Sequence, residues 1–126
     1  MKIFDPIRKQ YVELTPEEQV RQYCINVLTK QFGYPKSAIA VEGQINLNSM
    51  TRRFDILVYD KALKPFLLVE CKRKEVKLTQ QTIDQVVSYN FAIQAPYIMI
   101  TNSLTTYLIE YKDGEYAFLD TLPAYR

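Results

Sequence analysis

Two carboxylates and a lysine occur where they could take part in chemistry. Asp55 lies within the apolar segment 53–60, and Glu70 and Lys72 lie at the end of the apolar segment 65–72. Both segments are predicted β-strands. Because successive side chains of a strand point to opposite faces, Glu70 and Lys72 share one face of the second strand.

A short turn joins the two segments and determines which residues face each other. If Asp60 pairs with Pro65, residues 61–64 form a four-residue loop and Asp55 lies directly opposite Glu70. The Cβ atoms of such a cross-strand pair are about 5.5 Å apart. We therefore predict that the two carboxylates form one cluster with the lysine beside them.

Two facing carboxylates repel each other, and a divalent cation would remove that repulsion. Mg²⁺ prefers oxygen ligands and commonly uses one or two carboxylates, with water and substrate phosphate in its other positions. Such a cation, with Mn²⁺ as a substitute, can polarise a phosphodiester and lower the pKa of a bound water. Lys72 can position that water or offset charge on the phosphate. These residue types predict a metal-dependent hydrolytic centre.

The same three residues could instead be ordinary polar residues at the rim of a sheet. Their neighbours favour the first interpretation, because each carboxylate lies between two apolar side chains. Charged side chains within otherwise buried segments are usually paired or metal-bound.

The remaining segments predict a mixed α/β (α+β) fold with the order α-βββ-α-β-ββ. Thr15 and Pro16 predict a helix start with Thr15 as the N-cap, and Glu18 is placed to close a capping box. A second helix is predicted after Thr79, and Asp113-Gly114 predicts a hairpin. The predicted helices are 15–31 and 79–94, the predicted strands are 39–47, 53–59, 65–72, 97–101, 105–111 and 116–119, and Asn48-Ser49 is a predicted turn.

Composition narrows the function classes. A chain of 126 residues predicts one domain spanning 1–126. The sequence contains no histidine, which excludes catalytic triads, general bases and zinc sites that use histidine. The net charge of +2 means that any basic surface must be local. No apolar run approaches the roughly 18 residues that span a bilayer. We expect a cytoplasmic protein without a membrane partner, in which Cys24 and Cys71 are core thiols.

At the carboxylates and the lysine, the sequence resembles the PD-(D/E)XK nuclease superfamily. The superfamily pattern is an Asp, a variable gap and then Glu-x-Lys on the following strand, which Asp55 and Glu70-Cys71-Lys72 match. More narrowly, the sequence resembles the N-terminal nuclease domain of the restriction (R) subunit of type I restriction enzymes, from Thr15 to Asn102. The matching pieces, in order, are TPEEQVRQ, RRFDILVYD, LLVECK, DQVVSYN and APYIMITN.

This resemblance implies a restriction-endonuclease-like fold, with a central mixed sheet flanked by helices, and magnesium-dependent DNA cleavage. It also implies roles for Gln85 and Tyr89, which match the Gln-x-x-x-Tyr motif that follows the catalytic lysine in the type I family. Their i, i+4 spacing places both side chains on one helical face, where they can hold the lysine or a phosphate. The alternative is an ordinary amphipathic helix whose polar side includes them.

Related nucleases place a glutamate of the first helix at the metal site, and Glu17 and Glu18 both fit. Glu17 lies on the same stripe as Val20 and Cys24, which is expected to face the sheet, whereas Glu18 has a local explanation as the capping-box partner. We favour Glu17 as the third metal ligand. One departure from the superfamily's name is Phe54, which precedes the Asp in place of proline.

DNA is the partner that the resemblance implies, together with other restriction-system subunits or a second copy of the chain. Positive charge gathers near the proposed centre, at Arg52, Arg53, Lys72, Arg73, Lys74 and Lys77. A solvated connector is an equal alternative for the later part of this cluster, because Glu75 interrupts it.

Type I restriction subunits also carry ATP-driven translocase domains, but this sequence contains no Walker-type glycine loop. We therefore expect a stand-alone relative, a component that acts with another chain or an excised remnant. Three function classes remain. The first is a metal-dependent DNA endonuclease, and the second is a non-catalytic DNA-binding or protein-interaction module on the same fold. The third, which rests on composition alone and ranks last, is a small structural domain that dimerises through its tyrosine-rich C-terminal hairpin.

Overall fold

A mixed six-stranded sheet forms the centre of the protein, in a computed structural model that describes residues 1–47 and 50–126. The predicted turn at Asn48-Ser49 lies outside the described residues. The predicted mixed α/β fold with helices beside a central sheet is confirmed. The elements are β1 (Lys2–Asp5), β2 (Gln10–Glu13), α1 (Pro16–Asn26), β3 (Ile39–Leu47), β4 (Met50–Tyr59), β5 (Pro65–Cys71), α2 (Gln80–Ile93), β6 (Tyr97–Thr101), β7 (Thr106–Lys112) and β8 (Glu115–Leu119).

The strands of this sheet lie side by side in chain order, from β3 to β8. Neighbouring strands are antiparallel except β5 and β6, which are parallel. Parallel neighbours need a crossover connection, and α2 is that crossover. None of the helices in the described residues is long and apolar enough to cross a membrane.

Each helix begins where its capping residues predict. The side chain of Thr15 accepts a hydrogen bond from the backbone N–H of Glu18 at 3.1 Å, and Thr79 accepts one from Thr82 at 3.3 Å. The first helix ends at Gln31 as predicted, because α1 ends at Asn26 and residues 27–31 continue it as a π-helical turn. Gly33, with φ +70°, then leaves the helical conformation.

Two apolar clusters lie on opposite faces of the sheet. One packs α1 against the sheet through Val20, Cys24, Ile25, Leu28, Val41, Ile56, Val58, Leu67, Val69 and Met99. The other packs α2 through Leu57, Leu68, Ile83, Val86, Ile93, Ile98, Ile100 and Ile109. Cys24 and Cys71 are both buried free thiols, as predicted for core residues, and their Sγ atoms are 3.7 Å apart.

A short N-terminal hairpin, formed by β1 and β2, is an element that the sequence analysis did not predict. The buried carboxylate of Asp5 stabilises its turn by accepting hydrogen bonds from the backbone N–H groups of Ile7 at 2.7 Å and Arg8 at 3.0 Å. The guanidinium of Arg8 also donates to Asp5 at 2.6 Å. The hairpin therefore brings an arginine next to α1.

The hairpin of β4 and β5 has the predicted register over the half that carries the carboxylates. Ile56 pairs with Val69 and Leu57 with Leu68, so continuing the register by one residue places Asp55 opposite Glu70. The predicted pairing of Asp60 with Pro65 is wrong, because an irregularity after Val58 pairs Tyr59 with Pro65 instead. Asp60 lies in the enlarged turn, where its carboxylate accepts hydrogen bonds from two backbone N–H groups.

Five strand ends, on β4, β5, β7 and β8, differ slightly from the prediction. β4 begins at Met50 rather than Arg53, and β5 ends at Cys71 rather than Lys72, although the Lys72 N–H still donates to a β6 carbonyl at 2.9 Å. β7 and β8 meet at the predicted Asp113-Gly114 turn, where both residues have positive φ. The early start of β4 lengthens its hairpin with β3 beyond the end of β5.

Candidate active site

Asp55 lies where the regular pairing of β4 with β5 ends. The last described backbone pair joins Ile56 to Val69. Beyond it, the backbone N–H of Cys71 points from β5 towards β4 and donates to Oδ2 of Asp55 at 2.9 Å. The second carboxylate oxygen, Oδ1, accepts from Nη1 of Arg21 on α1 at 3.3 Å. Both oxygens of Asp55 therefore have protein donors that hold the carboxylate in one orientation.

Glu70 is the second carboxylate of the site, and only 29% of its side chain is exposed. The ammonium of Lys72 lies 3.7 Å from its Oε2. Burial, the negative charge of Asp55 and a hydrogen bond with Asp55 raise the pKa of Glu70 from 4.5 to about 7, against the opposing charge of Lys72. The structure thus brings together Asp55, Glu70 and Lys72, the three residues that the motif predicts.

Two neighbouring cavities open at these carboxylates. A cavity of about 310 Å³ is bounded by Asp55 and Glu70 together with Glu42, Gly43, Gln44, Arg53 and Phe54. A second cavity, of about 250 Å³, lies between the sheet and α2 and is bounded by Glu70 and Lys72 together with Arg53, Phe54, Leu68, Gln85, Val86 and Tyr89. Gln85 and Tyr89 therefore lie at the same cavity as the lysine, as their spacing predicts.

Tyr89, which bounds the second cavity, has a buried hydroxyl without a hydrogen-bond partner among the described residues. Burial and the negative charges of Glu70 and Asp55 raise the pKa of this hydroxyl. Buried polar atoms usually have partners, so the hydroxyl indicates space for a polar ligand or water in the cavity.

The structure reverses the expected orientations of the two acidic residues at the start of α1. Glu17 is half-exposed and its carboxylate lies 3.8 Å from Nε of Arg73, whereas the side chain of Glu18 is 3% exposed. The expectation that Glu17 faces the sheet is therefore wrong. The predicted capping-box role of the Glu18 side chain is also wrong, because its carboxylate accepts hydrogen bonds from Arg8, Arg21 and Gln22.

A buried network of charges connects the N-terminal hairpin to Asp55. Arg8 bonds to Glu18 at 2.6 Å, and Arg21 bonds to both Glu18 and Asp55. Burial lowers the pKa of Arg21, but the negative charges of Glu18, Glu42 and Asp55 raise it overall. Arg21 is thus a positioning residue that the sequence analysis missed, although its place three residues after Glu18 was a usable signal.

Glu42 is the other charged residue that the sequence analysis missed. It lies opposite Asp55, because its neighbours Val41 and Gly43 pair with Ile56 and Phe54, and its φ of +48° interrupts the regular strand. Its half-exposed carboxylate pairs with both arginines of the network, Arg8 at 2.9 Å and Arg21 at 3.4 Å. Only the register of β3 with β4 could have revealed this position.

The donor set suits a hard divalent cation with few protein ligands. In residues 1–47 and 50–126, no group of three or more His, Cys, Asp or Glu side chains is arranged to hold a metal. Asp55 and Glu70 are two carboxylates on neighbouring strands that could bind a cation, and two is a number of carboxylates that Mg²⁺ commonly uses.

A family model matches the chain over residues 16–123, which include Asp55, Glu70, Lys72, Gln85 and Tyr89. The model describes the N terminus of the type I restriction enzyme R protein. The chain belongs to this family. Because the match extends to residue 123, the matched region includes β7 and β8 as well as the segment that carries the motifs.

A solved structure has a similar fold. It is a crystal structure of a candidate nuclease of the DUF820 group from Anabaena variabilis, which superposes with a TM-score of 0.55 at 9% sequence identity. The match covers 95% of this R-protein N-terminal domain and 76% of the other chain. At that identity the likeness concerns the fold alone. No curated protein matches the sequence significantly.

Proposed function

We propose that this domain is a metal-dependent DNA endonuclease that hydrolyses phosphodiester bonds, with Mg²⁺ as its cofactor and Mn²⁺ as a substitute. The observation that carries the proposal is the pairing of Asp55 with Glu70 on neighbouring strands, where both carboxylates bound one cavity and Glu70 also bounds a second. Membership of the type I restriction R-protein family and the nuclease-like fold support it.

In this proposal, Asp55 and Glu70 would hold the cation, and a bound cation would supply Lewis-acid chemistry by polarising the phosphodiester and lowering the pKa of a bound water. Asp55 is the better-oriented ligand, because the Cys71 N–H and Arg21 hold its two oxygens. Glu70 binds as the carboxylate, since a protonated carboxyl group is a poor ligand. Glu17 is not retained as a ligand, because its side chain pairs with Arg73.

Lys72 has the role of stabilising negative charge that develops on the phosphate. Its ammonium lies 3.7 Å from Glu70 and is one-third exposed, so it can reach a phosphate bound between the carboxylates and α2. Gln85 and Tyr89 are groups of the cavity wall that can hold a neighbouring phosphate oxygen or the lysine, and the Tyr89 hydroxyl has no hydrogen-bond partner within residues 1–47 and 50–126. A hydroxyl that donates to a phosphate oxygen would satisfy its own hydrogen-bonding requirement.

The test is a nicking assay on supercoiled plasmid DNA with Mg²⁺, Mn²⁺ or EDTA. The wild-type domain should nick the plasmid with either cation and not with EDTA. Asp55→Asn and Lys72→Ala should each reduce the rate by at least about a hundredfold. Lys112→Ala, which removes an equally charged but exposed side chain from the β7–β8 hairpin, is the matched control and should leave the rate unchanged.

The alternative function is a non-catalytic module that binds DNA or a partner protein on the same fold. DNA binding by the wild type without nicking in either cation would favour that module over the nuclease. Loss of nicking in Lys112→Ala to the same extent as in Lys72→Ala would mean that general positive charge, rather than the site, is responsible.

A further inference from the structure

The hairpin of β3 and β4 extends beyond the rest of the sheet. The described pairs between β4 and β5 end at Ile56 and Val69, whereas β3 and β4 remain paired as far as Leu47 and Met50. Residues 44–47 and 50–53 therefore form a two-stranded arm, roughly 13 Å long at the usual rise of a strand. We call these residues the β3–β4 arm.

One face of the β3–β4 arm anchors it to the body of the protein. Ile45 packs against the apolar cluster on the α2 side, and its cross-strand partner Arg52 has a buried Nε. At the base of the arm, the ring of Phe54 packs directly against Gly43, where an added Cβ would lie 2.6 Å from the ring. This packing makes the arm a supported projection rather than a free loop.

The opposite face of the arm is polar and exposed. It carries two cross-strand pairs, Gln44 with Arg53 and Asn46 with Thr51. Thr51 donates a hydrogen bond to the side-chain oxygen of Asn46 at 3.0 Å. Residues 43–54 contain two arginines and no acidic residue, so the arm carries net positive charge.

This polar face is continuous with the candidate active site. Gln44 and Arg53, the first pair of the arm, bound the same 310 Å³ cavity as Asp55 and Glu70. If a phosphate of a DNA strand lay at the two carboxylates, the adjacent nucleotides of that strand would therefore contact the base of the arm.

We infer that the β3–β4 arm contacts double-stranded DNA by lying in a groove next to the bond to be cut, an inference that rests on the proposed function. A two-stranded ribbon fits the major groove of B-DNA, and Asn, Gln and Arg are the side chains that most readily hydrogen-bond to adenine and guanine edges there. Thr51 adds a hydroxyl that can contact a base or a phosphate. The absence of acidic residues along the arm avoids repulsion from the DNA backbone.

Fluorescence anisotropy with a fluorescein-labelled DNA duplex in EDTA tests the arm without allowing cleavage. The double variant Asn46→Asp/Thr51→Asp places two negative charges on the exposed face and should weaken binding by at least about tenfold. Gln44→Ala/Thr51→Ala adds no charge and should weaken binding about fivefold through lost contacts. The matched control is Asn26→Asp/Ser37→Asp, which adds two charges at exposed positions outside the arm and should bind like the wild type.

Circular dichroism and thermal melting of each variant verify that it is folded, which exposed positions should allow. Arm variants that bind the duplex as tightly as the wild type would overturn the inference. The arm would then be assigned to contact with a protein partner instead of DNA. A wild-type domain that binds no duplex would overturn it too. The nicking assay distinguishes failure of this inference from failure of the proposed function. If duplex binding depends on the arm but the wild type does not nick DNA, the arm inference is supported and the nuclease proposal is refuted. If the wild type nicks DNA and the arm variants bind and nick as well as it does, the nuclease proposal is supported and the arm inference is refuted.

Discussion

Replacing Glu70 by Gln should stabilise the cation-free protein at neutral and alkaline pH, although it removes a residue of the proposed active site. In the folded protein, burial and the charge of Asp55 raise the pKa of Glu70 from 4.5 to about 7. Keeping this side chain ionised therefore costs folding free energy, whereas a neutral amide of similar shape does not incur that cost.

The sign and the pH range follow from the two pKa values of Glu70. Below pH 4.5 the carboxyl group is protonated in both the folded and the unfolded protein, so its ionisation costs no stability. Between pH 4.5 and about 7 the unfolded chain releases the proton and the folded protein retains it, so the free energy of unfolding falls as pH rises. Above about pH 7 the full cost is present, and a shift of this size corresponds to about 3 kcal/mol.

Urea denaturation in EDTA, followed by circular dichroism at pH 4 and pH 8, measures this difference. Glu70→Gln should match the wild type at pH 4 and exceed its free energy of unfolding by up to about 3 kcal/mol at pH 8. Glu115→Gln, at an exposed position on β8, is the control for the loss of one negative charge. A Glu70→Gln protein that is no more stable than the wild type at pH 8 would refute the charge crowding inferred for this pair.

Three further substitutions test the surroundings of the pair, each by urea denaturation. Arg21→Ala removes a largely buried cation from Glu18 and Asp55, so it should cost about 3 kcal/mol. Burial opposes ionisation of Glu18, but hydrogen bonding to arginine holds the pKa of its carboxyl group below 4.5. The ionised carboxylate therefore stabilises the fold above pH 4.5, and this stabilisation is lost as pH falls further. Glu18→Gln should accordingly be less stable than the wild type at pH 7, and its free energy of unfolding should change less as pH is lowered. Gly43→Ala forces a Cβ to within 2.6 Å of the Phe54 ring and should cost about 2 kcal/mol. Changes of less than about 0.5 kcal/mol at pH 7 would contradict these three assignments.

Local sequence signals were sufficient for the elements that carry the motif. Thr15 and Thr79 cap their helices as predicted, because an N-cap depends on backbone groups only a few residues away. Strand alternation and a short turn gave the correct pairing of Asp55 with Glu70, but only because two effects offset each other. Tyr59 pairs with Pro65 in place of Asp60, and the irregularity between Val58 and Tyr59 then shifts the register back by one residue.

What the sequence could not reveal depends on contacts between distant segments. Helical periodicity favoured Glu17 over Glu18 as the inward residue, but the orientation of Glu18 depends on Arg8, which lies ten residues earlier in a separate hairpin. That hairpin has strands of only four residues, too short for a clear alternating pattern, and Asp5 and its partners stabilise its turn. The orientation of a buried carboxylate depends more on the cation that pairs with it than on the apolar periodicity of its helix.

The two carboxylates of the motif are physically unequal, and this inequality predicts how a cation should bind. Protein donors already hold both oxygens of Asp55, whereas Glu70 has a pKa of about 7 and retains a proton over much of the neutral range. A cation that uses both must displace that proton, so its affinity should be about tenfold weaker at pH 6 than at pH 8. Isothermal titration with Mn²⁺ in two buffers of different ionisation enthalpy measures the affinity and the proton release together. Equal affinities at the two pH values, with no proton released, would mean that the cation binds without Glu70.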